Sequence, residues 1–200
     1  EMDLFSFHEV APGAPFWHPK GMIIFKELEK FIREENEKMG YGEVSTPILV
    51  KKELWEKSGH WETFRNNMFH FQINEETYGL KPMNCPEGHL IYSNNVRSYK
   101  DLPLRLAEYG AVYRYEASGE LFGLMRVRGM TQNDSHIYCT VEQAVEEFTN
   151  VMKLHEYYYQ TLGISDYHLE LGLRDPKKKD KYHGDEKMWQ LAEKLMRQAV

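Results

Sequence analysis

The residues best suited to chemistry lie in the stretch Leu124 to Cys139, LMRVRGMTQNDSHIYC. Read as a β-strand, its side chains alternate between two faces. The even positions Arg126, Arg128, Met130, Gln132, Asp134 and His136 gather two cations, an amide, a carboxylate and an imidazole on one face. The odd positions are mostly small or apolar. A purely structural strand packs apolar groups and scatters polar ones on its wet face. The ordered mixture here points to a surface that binds a ligand.

The preceding run, Leu104 to Glu116 (LRLAEYGAVYRYE), is rich in β-formers and pairs naturally with it as a long hairpin. Its even face carries Glu108, Arg114 and Glu116. The link Ala117 to Gly123 contains a serine and two glycines, which suits a hairpin loop. Arg114 and Glu116 then sit on one side of that loop and Arg126 on the other. Two guanidinium groups flanking a loop suit a polyphosphate, because each offers a planar fork of donors to phosphate oxygens. An ordinary salt-bridged hairpin is the competing reading of the same spacing.

These candidates must be positioned by the rest of the chain. The spacing predicts an amphipathic helix over Gly21 to Met39, stopped by Gly40. Glu43 to Val50 reads as a strand in which Pro47 demands an edge or a bulge. A short helix over Lys51 to Lys57 follows. A hairpin, Met68 to Ile73 with Thr77 to Lys81, turns at Asn74-Glu75-Glu76. Pro86 to Val96 reads as a helix with proline in its first turn. Thr140 and Gln143 fit a capping box opening the longest helix, which Gly163 ends. Tyr167 to Leu173 reads as a strand, and a last helix runs from about Asp185 with Met188, Ala192, Leu195, Met196 and Ala199 on one face. The mixed order, without regular βαβ alternation, predicts an α+β fold built on an antiparallel sheet. The apolar face of the last helix and the few strands imply part of a larger domain.

Composition narrows the function. The chain has 200 residues, 42% hydrophobic and 28% charged, which is an ordinary globular composition. No run is long and apolar enough to span a bilayer, and the N-terminus does not read as a signal peptide. Two cysteines, Cys85 and Cys139, are too few for a disulfide framework and favour a cytoplasmic setting. A net charge of −6 argues against a non-specific nucleic-acid binder, although it allows contact with RNA at one small site. The basic run Arg174 to Lys181 reads as a solvated loop.

Lys81-Pro82-Met83-Asn84-Cys85-Pro86 links a strand to a helix. Cys85 and His136 are side chains that Zn²⁺ accepts, but no local zinc spacing joins them. Composition alone reads Cys85 as a buried small hydrophobe and His136 as a hydrogen-bonded residue. His89, four residues after Cys85, can share its helix face, whereas Cys139 falls on the opposite strand face from His136. His168 and His183 carry no distinctive spacing. No Ser-His-Asp or Cys-His arrangement is persuasive.

KPMNCP (81–86), YRYE (113–116), GLMRVRG (123–129) and TQNDSHIYC (131–139) closely resemble threonyl-tRNA synthetase, a class II family. APGAPFWHPKGM (11–22), LWEKSGHW (54–61), SYKDLPLRLAEYG (98–110) and DEKMWQLAE (185–193) resemble the same catalytic domain, so the likeness runs through essentially the whole chain. The resemblance implies an antiparallel sheet flanked by helices, working as a homodimer through the segment around Pro47. It implies activation of threonine with ATP and Mg²⁺, followed by transfer to tRNA(Thr). By the same likeness Arg114 holds the α-phosphate and the amino-acid carboxylate, Glu116 meets the adenine edge, Arg126 reaches the γ-phosphate, and Met130 takes the base-stacking position.

Met83, Gln132 and Asp134 match threonine contacts, with Asp134 accepting from the hydroxyl. Cys85 and His136 match two of three zinc ligands. A metal held by both the amino group and the hydroxyl separates threonine from isosteric valine, whereas serine is expected to pass. The family's editing and anticodon-binding domains are not represented. The chain also stops before the family's third motif, which carries another ATP-binding arginine and the third zinc ligand, so activity is expected to need more than these residues. Met130, Asn133, Ser135 and His89 depart from the family's usual phenylalanine, aspartate, alanine and a non-histidine. A non-catalytic relative that binds amino acid, nucleotide or a partner is the alternative reading.

Overall fold

The computed structural model describes residues 2–175, 177, 182 and 184–199. The fold is α+β, as the element order predicts. Contacts divide the chain into two units. Unit 1 comprises Glu1–Arg97 and Arg105–His136, and unit 2 comprises Ser98–Leu104 and Ile137–Val200.

Unit 1 opens with strand β1 (Phe5–Ser6) paired antiparallel to β2 (Phe16–Trp17). Helix α1 (Pro19–Lys38) follows, started by a proline that needs no hydrogen-bonded N–H and ended before Gly40, whose φ of 76° only glycine adopts at little cost. The predicted strand 43–50 is broken. Gly42–Glu43 (β3) pairs parallel with the long strand β7 (Leu104–Tyr113), whereas Leu49–Lys51 (β4) joins a different sheet. Pro47 cannot donate a ladder bond, and Thr46 gives its backbone N–H to a side chain, so the segment between belongs to neither ladder.

Helix α2 (Lys52–Lys57) and helix α3 (His60–Phe64) lead into the hairpin of β5 (His70–Ile73) and β6 (Glu76–Leu80). Asn74 takes φ 55° at its turn, a left-handed conformation that Asn tolerates. The sheet order is β4-β6-β5, all antiparallel. Trp55 of α2 is fully buried over Gly79, where an added Cβ would stand 3.0 Å from the indole ring. Helix α4 (Cys85–Ser93) is shorter than the predicted 86–96.

The second sheet has the order β3-β7-β8, with β8 at Gly129–Tyr138. This strand begins five residues later than the alternation predicts. Arg126 and Arg128 are therefore loop residues. Phe122 and Arg126 form an isolated bridge, and the Arg128 N–H donates to Gly13 O at 2.6 Å, so partners outside the ladder hold the segment before β8 begins.

In unit 2, helix α5 (Ala144–Thr161) starts later than Thr140 because residues 141–143 form a turn. Half of the expected box survives, with Thr140 N–H donating to Gln143 Oε1 at 2.9 Å. At 18 residues α5 is shorter than the 20 of α1, so it is not the longest helix. Gly163 follows with φ 73°.

The predicted strand Tyr167 to Leu173 is not formed. No strand among the described residues lies alongside it, and Leu169 and Leu173 remain exposed. Helix α6 (Glu186–Ala199) packs on α5. It half-buries Trp189, Leu195, Met196 and Ala199 while Met188 and Ala192 face outward. Of the basic run 174–181, residues 176 and 178–181 lie outside the described residues, as does His183. Arg174 is paired with Glu186 and lies over the Trp189 ring. No helix among the described residues is long and apolar enough to cross a membrane.

Candidate active site

All the predicted site residues belong to unit 1. On β8, Met130, Gln132, Asp134 and His136 are half-buried while Thr131, Asn133 and Ser135 are exposed, so the predicted alternation holds from Gly129 onward. Asp134 is fixed at both oxygens. Asn84 Nδ2 donates to Oδ2 at 3.0 Å, and the Ser135 N–H donates to Oδ1 at 2.8 Å. Gln132 Nε2 approaches Met130 Sδ at 3.9 Å. Asn133, on the other face, accepts from Asn36 Nδ2 of α1 at 3.3 Å, which gives that departure a structural role.

Asn84 is the positioning residue that the spacing does not single out, although it stands inside KPMNCP. It is fully buried, and it lies against β7 so closely that a Cβ at Gly110 would be 2.0 Å from its Oδ1. Helix α4 approaches β8 in the same way, since a Cβ at Gly88 would be 3.3 Å from His136 Nδ1. Two glycines therefore let the KPMNCP turn and its helix settle onto the sheet.

The arginines are held differently. Arg114, just past the end of β7, donates from Nε to Pro82 O at 3.1 Å, and its N–H donates to Arg128 O at 2.9 Å. Arg126 donates from Nε and NH2 to Glu116 Oε2 at 3.1 and 2.9 Å and from NH2 to Glu120 Oε2 at 2.9 Å. The hydrogen bond to Glu116 holds the Arg126 guanidinium above its ordinary pKa, with further attraction from Glu116 and Glu120. Arg128 donates to Glu116 O at 2.9 Å and lies over the Tyr115 ring. The hairpin loop is thus salt-bridged, the competing reading of its spacing, with Arg126 paired to Glu116 and Glu120.

Cys85 opens α4 and is half-buried. Burial pushes its thiol pKa up, and Asp134 adds to the rise. The rings of His89 and His136 meet edge-on at 5.6 Å, and burial, then His136 and His60, lower the His89 pKa. Thiol and imidazole are the donors zinc prefers. Among the described residues, however, no group of three His, Cys, Asp or Glu side chains could hold a metal ion. These residues alone do not close a metal centre. Cys139 is half-buried in unit 2, its thiol raised by burial and by Glu147. His168 bonds Glu170 at the surface at 2.9 Å.

A cavity of about 390 Å³ lies between α1 and the strands, lined by Trp17, Met22, Phe25, Tyr113, Met130 and Thr131 among others. Met130 thus lines this hollow while its sulfur is approached by Gln132.

Glu87, in the first turn of α4, is 4% exposed and neither carboxylate oxygen has a hydrogen-bond partner. Burial pushes its pKa up to about 7, against opposition from its own backbone and Lys81. An acid whose folded pKa lies above its unfolded value of 4.5 favours folding below that value. The advantage fades as pH rises from 4.5 through about 7. The shift corresponds to about 3 kcal/mol. Urea unfolding is expected to show stability falling over this window, and Glu87→Gln is expected to flatten the fall and to be the more stable form at pH 8. A pH-independent difference between the two proteins would contradict this.

The β3-β7-β8 sheet thus carries a polar row braced by a buried asparagine, beside a hairpin loop rich in arginine. Residues 67–198 match the family model described as tRNA synthetase class II core domain (G, H, P, S and T). The chain belongs to this family. Within it, the chain is 49% identical over 192 residues to the threonine–tRNA ligase of Caldanaerobacter subterraneus subsp. tengcongensis, covering 96% of this chain and 29% of that protein. It is 48% identical over 200 residues to the threonine–tRNA ligase of Clostridium botulinum, covering 100% of this chain and 31% of that protein.

Among solved structures it superposes with a TM-score of 0.85 on the RNA binding domain of threonyl-tRNA synthetase from Cryptosporidium parvum Iowa II, at 36% identity, covering 99% of this chain and 48% of the other. Giardia lamblia prolyl-tRNA synthetase in complex with prolyl-adenylate is more distant. It superposes with a TM-score of 0.70 at 26% identity, covering 78% of this chain and 32% of the other. The resemblance carried by KPMNCP and its neighbouring motifs is thus to the threonyl branch, and the chain spans 29–31% of the length of the curated relatives above.

Proposed function

We propose that this chain is the incomplete class II catalytic core of a threonine–tRNA ligase, which activates threonine with ATP and passes the product to tRNA(Thr). The supporting observation is the row Gln132, Asp134 and His136 on one half-buried face, with Asp134 fixed by Asn84 and Arg114 anchored to Pro82 of the same turn. Adenylate formation is an in-line attack of a carboxylate on an α-phosphate. Two anions must meet, and the transition state spreads charge over phosphate oxygens. Positioning and fixed positive charge therefore supply most of the catalysis.

In this reading Arg114 bridges the α-phosphate and the amino-acid carboxylate. Glu116 takes the adenine edge and Met130 packs on the base. Arg126 exchanges its carboxylate partners for the γ-phosphate, and Mg²⁺ carried with ATP would add positive charge along the phosphate chain. Met83, Gln132 and Asp134 contact threonine. Asp134 accepts from the threonine hydroxyl, and valine leaves it without that donor, which penalises the isostere. Cys85 and His136 would be two of the donors to a zinc ion, which would supply Lewis-acid recognition of the amino acid. A cytoplasmic homodimer formed around Pro47 belongs to the same proposal.

The test is calorimetric titration of the chain with the non-reactive sulfamoyl analogue of threonyl-adenylate. Saturable binding is expected. Arg114→Ala is expected to weaken it about 10- to 100-fold, the worth of a hydrogen bond to a charged group. Equal affinity in the variant would remove Arg114 from the site.

A further inference from the structure

The N-terminal hairpin brings together three side chains that sequence spacing leaves unconnected. Ser6 Oγ lies 2.9 Å from His18 Nε2, and His18 Nδ1 lies 2.7 Å from Asp3 Oδ1. We propose that Asp3, His18 and Ser6 form a second reactive site in which Ser6 is a nucleophile toward activated acyl esters. This site uses none of the residues assigned to threonine activation.

The proposed reaction uses one tautomer of His18. An ionised Asp3 only accepts, so a neutral His18 carries its proton on Nδ1 and leaves Nε2 bare. The bare Nε2 accepts the Ser6 O–H. His8 Nε2 also lies 2.9 Å from Ser6 Oγ, and because the serine proton is already committed, His8 is the donor there. Base, nucleophile and orienting carboxylate thus stand in hydrogen-bond reach and in the order that acyl transfer requires.

The fold builds this arrangement. The register Phe5↔Trp17 and Ser6↔Phe16 sets β1 beside β2, and the His18 N–H donates to Leu4 O at 2.9 Å, fixing the residue that begins α1. Asp3 has φ 55°, an uncommon conformation for a residue with a side chain, and it turns the carboxylate toward the imidazole. The surroundings suggest the substrate class. Phe7, Phe16 and Trp17 are each more than a third exposed, and the Phe5 ring lies 5.7 and 5.8 Å from the rings of Phe7 and Trp17. Such a surface suits an aryl leaving group or a short apolar acyl chain.

In the reaction, Ser6 Oγ bonds to the carbonyl carbon and its proton passes to His18 Nε2. The bond from that carbon to the leaving oxygen breaks, and the leaving group takes the proton. An acyl-Ser6 ester remains, which water cleaves by the same proton route.

The experiment is incubation of the whole chain with p-nitrophenyl acetate. We expect a burst of p-nitrophenolate and an acetyl group mapped to Ser6 by peptide mass spectrometry. Ser6→Ala abolishes the burst, and His18→Gln slows it about 100-fold or more. Mapping on the unsubstituted chain decides the matter even if a variant misfolds. Acetylation confined to lysine or histidine side chains, or an undiminished burst in Ser6→Ala, would overturn the proposal.

Discussion

Lys81→Ala is expected to destabilise unit 1 by about 3–5 kcal/mol, the cost of stranding one member of a buried ion pair. Lys81 is 1% exposed and Glu108 is 5% exposed. Lys81 Nζ donates to Glu108 Oε1 at 2.9 Å and to Thr46 Oγ1 at 2.7 Å, while Thr46 gives both its N–H and its hydroxyl to the same carboxylate oxygen. Removing the ammonium leaves a buried carboxylate with hydrogen bonds but no countercharge. The double change Lys81→Met with Glu108→Leu is expected to recover only part of the loss, because it strands neither charge but leaves the Thr46 N–H and hydroxyl without their acceptor. Urea midpoints of the single and double variants measure both effects. A wild-type midpoint for Lys81→Ala would contradict the account.

The pair also bears on the site. The backbone of Lys81 ties to Ile48 O and to the Tyr113 N–H at 2.8 and 2.9 Å. It therefore fixes the turn from which Pro82 anchors Arg114 and Asn84 anchors Asp134.

Gly110→Ala is expected to cost about 4 kcal/mol or more, in the range reserved for exceptional substitutions. The new Cβ would fall 2.0, 2.4 and 2.5 Å from Oδ1, Cγ and Nδ2 of Asn84. Asn84 is fully buried, so its side chain cannot swing aside without losing the Asp134 bond. Overpacking and a broken buried hydrogen bond then add. Combining Gly110→Ala with Asn84→Gly is expected to relieve the overpacking and so recover part of the stability, while Asp134 stays unbraced. Thermal unfolding separates the cases, and an unchanged Tm for Gly110→Ala would refute the close packing of this turn on β7.

Much of the layout was legible in local signals. Gly40 marked the end of α1, although its start at Pro19 was not read, the β5–β6 hairpin turned where asparagine tolerates positive φ, and period-two alternation placed Gln132, Asp134 and His136 on one face. The failures turn on contacts, or their absence, that periodicity does not encode. Arg126 and Arg128 leave the strand pattern because Glu116, Glu120 and Gly13 hold them. The segment 43–50 is divided because two different sheets claim its ends.

Residues 167–173 have strand propensity with no described strand to pair with, and propensity alone does not form a ladder. Asn84 braces Asp134 across 50 positions, and Ser6 meets His18 across 12. Periodicity carries no signal for either. The motif KPMNCP marked the first through family resemblance, whereas nothing marked the second.

The central claim is that the polar face of β8 and Arg114 together grip an activated amino acid. The most direct measurement is the titration of the unsubstituted 200-residue chain with the threonyl-adenylate analogue, run beside Asp134→Ala. The account predicts one saturable site that the substitution weakens sharply. Absence of any binding by a folded chain, or binding indifferent to Asp134, would contradict it.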